Sequence, residues 1–206
     1  MSKQGENNFG FSSQPCQPPI QPRYVFLFSG HMIDAPGRKI PRFPAYKENR
    51  AAAAVGATLN KLEAGPADIG LCGGACGGDL LFAEACLARG LHVEIRIPFA
   101  EPTFLKKSVI FAGEAWLYRY NTVKNNPLTS FFIMPQVLGP TPEKVNPYER
   151  NNLWLLNTAL SLGPDKVRFI CLWNGNGGDG PGGTKHMHDE VLKHSGKVFV
   201  IDTKTL

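Results

Sequence analysis

The chain has 206 residues, 43% hydrophobic and 19% charged, with 22 basic against 17 acidic side chains and a formal net charge of +5. That length fits one domain with a full core, and the composition excludes a low-complexity or collagen-like chain. The basic residues are scattered, the densest groups being Arg38-Lys39 with Arg42 and the pair Lys106-Lys107. An anionic small ligand is therefore expected before a nucleic acid or a membrane surface.

Residues 1–22 are rich in Gln, Pro, Ser and Asn and contain no apolar signal core, so they read as a disordered tail. Residues 23–206 read as one folded domain. Tyr24 to Phe28 is a continuous apolar run ending in Ser29-Gly30, the pattern of a strand buried on both faces. His31 to Pro44 is a loop, and Tyr46 to Glu63, with four consecutive alanines, is a helix stopped by Gly65-Pro66. Asp68 to Cys72 is a second strand, Gly73 to Gly78 a tight turn, and Asp79 to Arg89 a helix closed by Gly90. His92 to Phe99 alternates apolar and charged residues, as an edge or half-covered strand does.

Phe104 to Asn125 reads as helix with a break near Gly113, Phe131 to Met134 as a strand, and Pro135 to Pro147 as a proline-rich loop. Tyr148 to Leu162 is a helix, Val167 to Trp173 a strand, Gly175 to Gly183 a second glycine-rich turn, Thr184 to His194 a helix and Lys197 to Ile201 a last strand. Strands alternating with helices imply an α/β fold, a Rossmann-like three-layer sandwich with a mainly parallel sheet. Ligands of such sheets bind beyond the carboxyl ends of the strands.

Three loops fall at those ends, and each carries candidate chemistry. In Gly73-Gly74-Ala75-Cys76-Gly77-Gly78-Asp79, glycines let the backbone approach a ligand, and successive amides plus the helix N-terminus favour an anion. Asp79 reads either as a helix cap or as an acceptor for ribose hydroxyls. In Asn174 to Thr184 the same physics applies to Gly182, Gly183 and the Thr184 hydroxyl. In Ser29-Gly30-His31-Met32-Ile33-Asp34, His31 and Asp34 are acid–base candidates and Arg38 a phosphate partner, against the alternative of an Asx-turn with solvent-facing arginines. Glu84 lies five residues beyond Asp79, about 7.5 Å along a helix, either reaching the turn or facing solvent.

Neither glycine turn is a Walker A sequence, because no Gly-Lys-Ser/Thr occurs, and the turn Gly73 to Gly78 departs from the G-x-G-x-x-G spacing of the dinucleotide fingerprint. No zinc-like pairing of cysteines is present, so neither metal nor separate cofactor is expected. The odd set Cys16, Cys72, Cys76, Cys86 and Cys171 suits reduced thiols in the cytoplasm.

The strand, the turn Gly73 to Asp79, its helix and the strand ending Ile97-Pro98-Phe99 resemble the SLOG superfamily, which groups DprA with the lonely-guy phosphoribohydrolases. More closely, Ser29 to Asp34 together with Cys72 to Asp79 resembles a domain of bacterial signalling proteins that accompanies tetratricopeptide or nucleotide-cyclase modules. The resemblance implies a Rossmann-like fold that binds a nucleotide or NAD-derived ligand, for signalling or for N-glycosidic cleavage. Pro181-Gly182-Gly183-Thr184 is similar to the lonely-guy phosphate turn, but Met187 stands at the place of that family's catalytic glutamate and Glu190 comes three residues late. Asp34, Glu84 and Asp179 are accordingly the carboxylates considered for catalysis. A non-catalytic sensor, a DprA-like binder of single-stranded DNA and a homo-oligomer stay open as alternatives.

Overall fold

The computed structural model describes residues 21–177, 181–194 and 197–206. The tail read at residues 1–22 lies outside the described residues except for its last two, and Asp179 lies outside them as well.

Six strands, β1 (Val25–Gly30), β2 (Ile69–Cys72), β3 (His92–Ile97), β4 (Thr129–Ile133), β5 (Val167–Trp173) and β6 (Val198–Asp202), form one sheet in the order β4-β3-β2-β1-β5-β6. Every pairing is parallel. The helices are α1 (Glu48–Lys61), α2 (Gly78–Leu87), α3 (Glu101–Ser108), α4 (Glu114–Lys124), α5 (Met134–Leu138), α6 (Pro147–Ser161) and α7 (Thr184–His194). The architecture is the Rossmann-like sandwich expected from the alternation of elements.

The sheet is wholly parallel because each crossover must return the chain to the same edge, and both faces must then be covered by helices. The period-two pattern assigns the layers. Phe26 and Phe28 of β1 join α1, α2, α3 and α4 on one face, while Val25 and Leu27 join α6 and α7 on the other. Helix α2 is unusually apolar because it is buried over most of its circumference, and Phe82 stacks on Phe28 with ring centroids 4.7 Å apart. A Cβ at Gly70 would meet Cys86 Sγ at 3.0 Å, so the bare glycine lets α2 lie close against β2.

Three local readings change. β3 is not an edge: it pairs with β2 on one side and β4 on the other. Its alternation arises because its second face meets α6 through a charged side chain. Arg96, bound to Glu94, lies between the Phe132 ring at 4.7 Å and the Trp154 ring at 4.5 Å. The helix expected over Phe104 to Asn125 starts earlier, at Glu101, and its break runs from Val109 to Gly113, at φ +110, which is where a break was expected. The loop expected from Pro135 begins instead as the short helix α5, with proline in its first turn, where the missing N–H costs nothing.

The start of β1 is tied to the start of β2 by Asp68. Its carboxylate accepts from Arg23 Nε at 3.0 Å and Nη2 at 2.8 Å, from Tyr24 N at 3.0 Å and from Gly65 N at 2.9 Å. Burial acts to raise this carboxyl's pKa, but Arg23 and the two amides outweigh it, and the net displacement is downward. A carboxyl displaced downward stabilises the fold above its ordinary range and loses that contribution as pH falls. Asp68→Ala is expected to lower stability by about 2–4 kcal/mol by leaving these donors unpaired. Urea titration at neutral pH measures it, and the deficit against wild type should shrink in acid.

Candidate functional site

The chain order reverses between β1 and β5, since β2, β3 and β4 run outward on one side of β1 while β5 and β6 lie on the other. Crossovers leave in opposite directions there, opening a crevice at the carboxyl ends. A cleft of about 430 Å³ occupies that place, within the roughly 300–1,000 Å³ of small-molecule sites.

The end of β1 forms its floor. His31 donates its backbone N–H to Leu172 O at 3.0 Å, and its carbonyl accepts Gly78 N at 3.0 Å, so one residue joins β5 to the start of α2. The buried imidazole accepts the backbone N–H of Asn174 on Nε2 at 3.3 Å, which assigns the proton to Nδ1. Burial holds its pKa below the ordinary histidine value, so the ring is neutral at pH 7.

Gly30, Gly77 and Gly78 serve this junction. A Cβ on Gly78 would meet Gly30 Cα at 3.0 Å, and one on Gly77, at φ +88, would meet Ile33 N at 2.7 Å. The glycines therefore allow two backbones to touch. Gly74 packs the turn against Ile95 of β3.

The amides of this first turn are not left for a ligand. The Asp79 carboxylate folds back into the turn, accepting Ala75 N at 3.2 Å and further engaging the amides of Gly30 and Gly73. Asp79 is neither the helix cap, which is Gly77, nor remote from the cleft, whose wall it forms. Burial pushes its carboxyl up to about 7, although the three amides oppose the rise.

The second turn is built differently. Pro181, Gly182, Gly183, Thr184 and Lys185 line the cleft at the N-terminus of α7, where the first backbone N–H groups have no partner within the helix. Gly182, at φ +83, sits on the first turn of α6. A Cβ there would meet Glu149 N at 2.6 Å and the Tyr148 carbonyl carbon at 2.7 Å. Asn152 Nδ2 donates to Gly182 O at 2.8 Å and fixes the turn to α6.

Helix α6 is the contribution that sequence reasoning missed. Asn146, Tyr148, Asn151 and Asn152 line the cleft, and Asn146 caps α6 by accepting Tyr148 N at 2.9 Å and Glu149 N at 3.2 Å. Asn-Pro before a helical pattern is a start signal. It marks where α6 begins but not that this end meets the other two turns. Met32, Arg42, Phe104 and Trp173 complete the wall, giving apolar and aromatic surface beside the polar groups.

The expected site residues thus divide. Ser29, Gly30, His31, Gly73, Asp79, Gly182, Gly183 and Thr184 meet at one cleft, whereas Gly74, Gly77 and Gly78 support its backbone from behind. Asp34 is drawn into its own loop, where Oδ2 accepts Arg42 N and Phe43 N, both at 2.9 Å, and Oδ1 lies 3.3 Å from Arg38 Nε. Arg38 faces a neighbouring hollow instead of the cleft. Glu84 does not reach the cleft: Arg119 binds both of its oxygens and also donates to Glu48 at 2.6 Å. Of the three carboxylates considered for catalysis, neither described one lines the cleft, and Asp79 does.

Among the described residues no three His, Cys, Asp or Glu side chains gather as a metal site, and no helix is long and apolar enough to cross a membrane. Cys72, Cys76, Cys86 and Cys171 are buried thiols, and burial raises the pKa of each.

No family model and no curated protein matches the chain. Among solved structures it is similar to the structural-genomics target TM1055, at 17% identity and a TM-score of 0.40, over 82% of this chain. The matched region spans 66% of that protein's length.

Two outcomes follow from this geometry. Gly182→Ala should break the turn, since it adds both positive-φ strain and a backbone clash; a loss of about 1–3 kcal/mol is expected in urea titration. A carboxyl whose folded pKa exceeds its unfolded value stabilises the fold at low pH and loses that contribution as pH rises through the folded value. The wild-type melting temperature should therefore fall as pH rises from the ordinary carboxylate range to about 7 and level off above it. In Asp79→Asn that decline should flatten, and an unaltered pH profile would contradict the assignment.

Proposed function

We propose that the cleft binds a nucleotide-type ligand, with a phosphate seated on the N-terminus of α7 and the base against the aromatic wall. One observation carries this reading: the turn at Gly182–Lys185, the edge residues Ser29 to His31 and the buried carboxylate of Asp79 all border a single cleft at the sheet's reversal point. The helix dipole and the first N–H groups, which have no partner within the helix, favour an anion at α7. Trp173, Tyr148 and Phe104 supply surface for a planar base. Asp79 and the Nδ1–H of His31 are the groups suited to sugar hydroxyls. The resemblance to the SLOG superfamily supports the same reading, and membership of it is part of this proposal. The buried, unpaired thiols support a reducing, cytoplasmic setting.

Sensing is the role the geometry favours. The described catalytic candidates Asp34 and Glu84 are committed to Arg42, Phe43 and Arg119. A second reading, N-glycosidic cleavage, rests on Asp79 alone. Near pH 7 its carboxyl is part protonated, so it can pass a proton to the departing base; the carboxylate left behind then stabilises the positive sugar and takes back a proton from the water that adds to it.

Thermal melting with AMP and NAD tests the binding reading. A ligand at 100 times its Kd stabilises by about 2.7 kcal/mol, and Gly182→Ala should abolish the shift. Flat curves across a nucleotide panel would sink it. Chromatography of the same mixtures tests cleavage: free base from wild type but not from Asp79→Asn supports hydrolysis, and no free base from wild type leaves the sensor.

A further inference from the structure

The cleft has a basic neighbour. Met32 and Arg42 line it and also line a hollow of about 310 Å³ walled by Arg38, Lys106, Lys107 and Phe111. Four of the residues lining this hollow are cations and none is an acid. They come from two separate elements, the loop after β1 and the last turn of α3.

The arrangement is held in place. Asp34 fixes the Arg42 backbone at 2.9 Å and approaches Arg38 at 3.3 Å, so the loop that carries both arginines is held at the wall. Lys107 Nζ lies 4.7 Å over the Phe99 ring, and that ring packs edge-on against Tyr148 of the main cleft at 5.2 Å. Lysines on the last turn of α3 complement its dipole. Across the hollow the two arginines are carried by the loop after β1. Like charges lining one concavity repel each other and focus a positive field into it.

We infer that this hollow is the seat of a second anionic group, so that the ligand is a nucleotide carrying more than one phosphate. The inference rests on the nucleotide reading above and narrows it. One phosphate meets backbone amides at α7, the body of the nucleotide lies in the cleft, and a further phosphate passes Arg42 to reach Lys106 and Lys107. Charge-assisted bonds of this kind are the strong ones, and the lysines act there as point charges.

Calorimetric titration of wild type and of the double variant Lys106→Ala/Lys107→Ala with AMP, ATP and adenosine 3′,5′-bisphosphate tests it. Both lysines are exposed, so the variant should melt as wild type does. At least one of the two multiphosphates should bind wild type about tenfold more tightly than AMP, close to 1.4 kcal/mol. The variant should erase that margin and leave AMP affinity as it was. AMP binding with no margin in wild type, or a margin that survives the double substitution, overturns the inference while sparing the nucleotide reading. Failure of all three to bind removes both.

Discussion

The carboxylate of Asp79, buried in a nest of backbone amides, is the interaction on which the geometry of the cleft depends. It joins the turn after β2 to Gly30 at the end of β1, while the carbonyl of His31 receives the amide of Gly78. These bonds pull two strand ends and the start of α2 into backbone contact. A side chain on Gly30 or Gly78 would prevent it, because their Cα atoms lie too close to admit a Cβ. A buried carboxylate is costly unless its oxygens are satisfied, and the glycine turn supplies the amides that satisfy it.

The two glycine-rich turns, alike in composition, therefore do different work. The first spends its donors on an internal anion and becomes a rigid wall. The second keeps the N-terminus of α7 facing the cleft and is braced from behind by Asn152 and the first turn of α6. The internal anion also shapes the field. A charged Asp79 opposes a ligand anion placed close to it, whereas α7 and the cations around Arg42 attract one. On the proposed reading, that polarity would orient a nucleotide with its anionic groups away from Asp79 and its neutral hydroxyls towards it.

Much of this was legible in the residue order. The continuous apolar runs Val25 to Phe28 and Phe169 to Trp173 announce strands covered on both faces, and the glycine turns announce crossovers at the carboxyl edge. β5 lies where its pattern places it, and α7 starts at Thr184 as its glycine lead-in indicates. β3 misled because a charged alternation is the mark of an exposed face in most sheets. Here Arg96 is sheltered between two aromatic rings and neutralised by Glu94 two residues away.

The sequence by itself determined the six strands, most of the helices, their parallel arrangement and the three loops that could carry a site, because hydrophobic period and glycine placement are local properties of the chain. Only the tertiary structure decided what each polar group does. Glu84 and Arg119 are far apart in sequence and meet because α2 packs on α4. Asp79 turned inward because three amides from two different loops converge on it. Helix α6 entered the cleft because the sheet's reversal places its first turn beside α7. Partners remote in sequence are chosen by packing, and no periodicity along the chain encodes them.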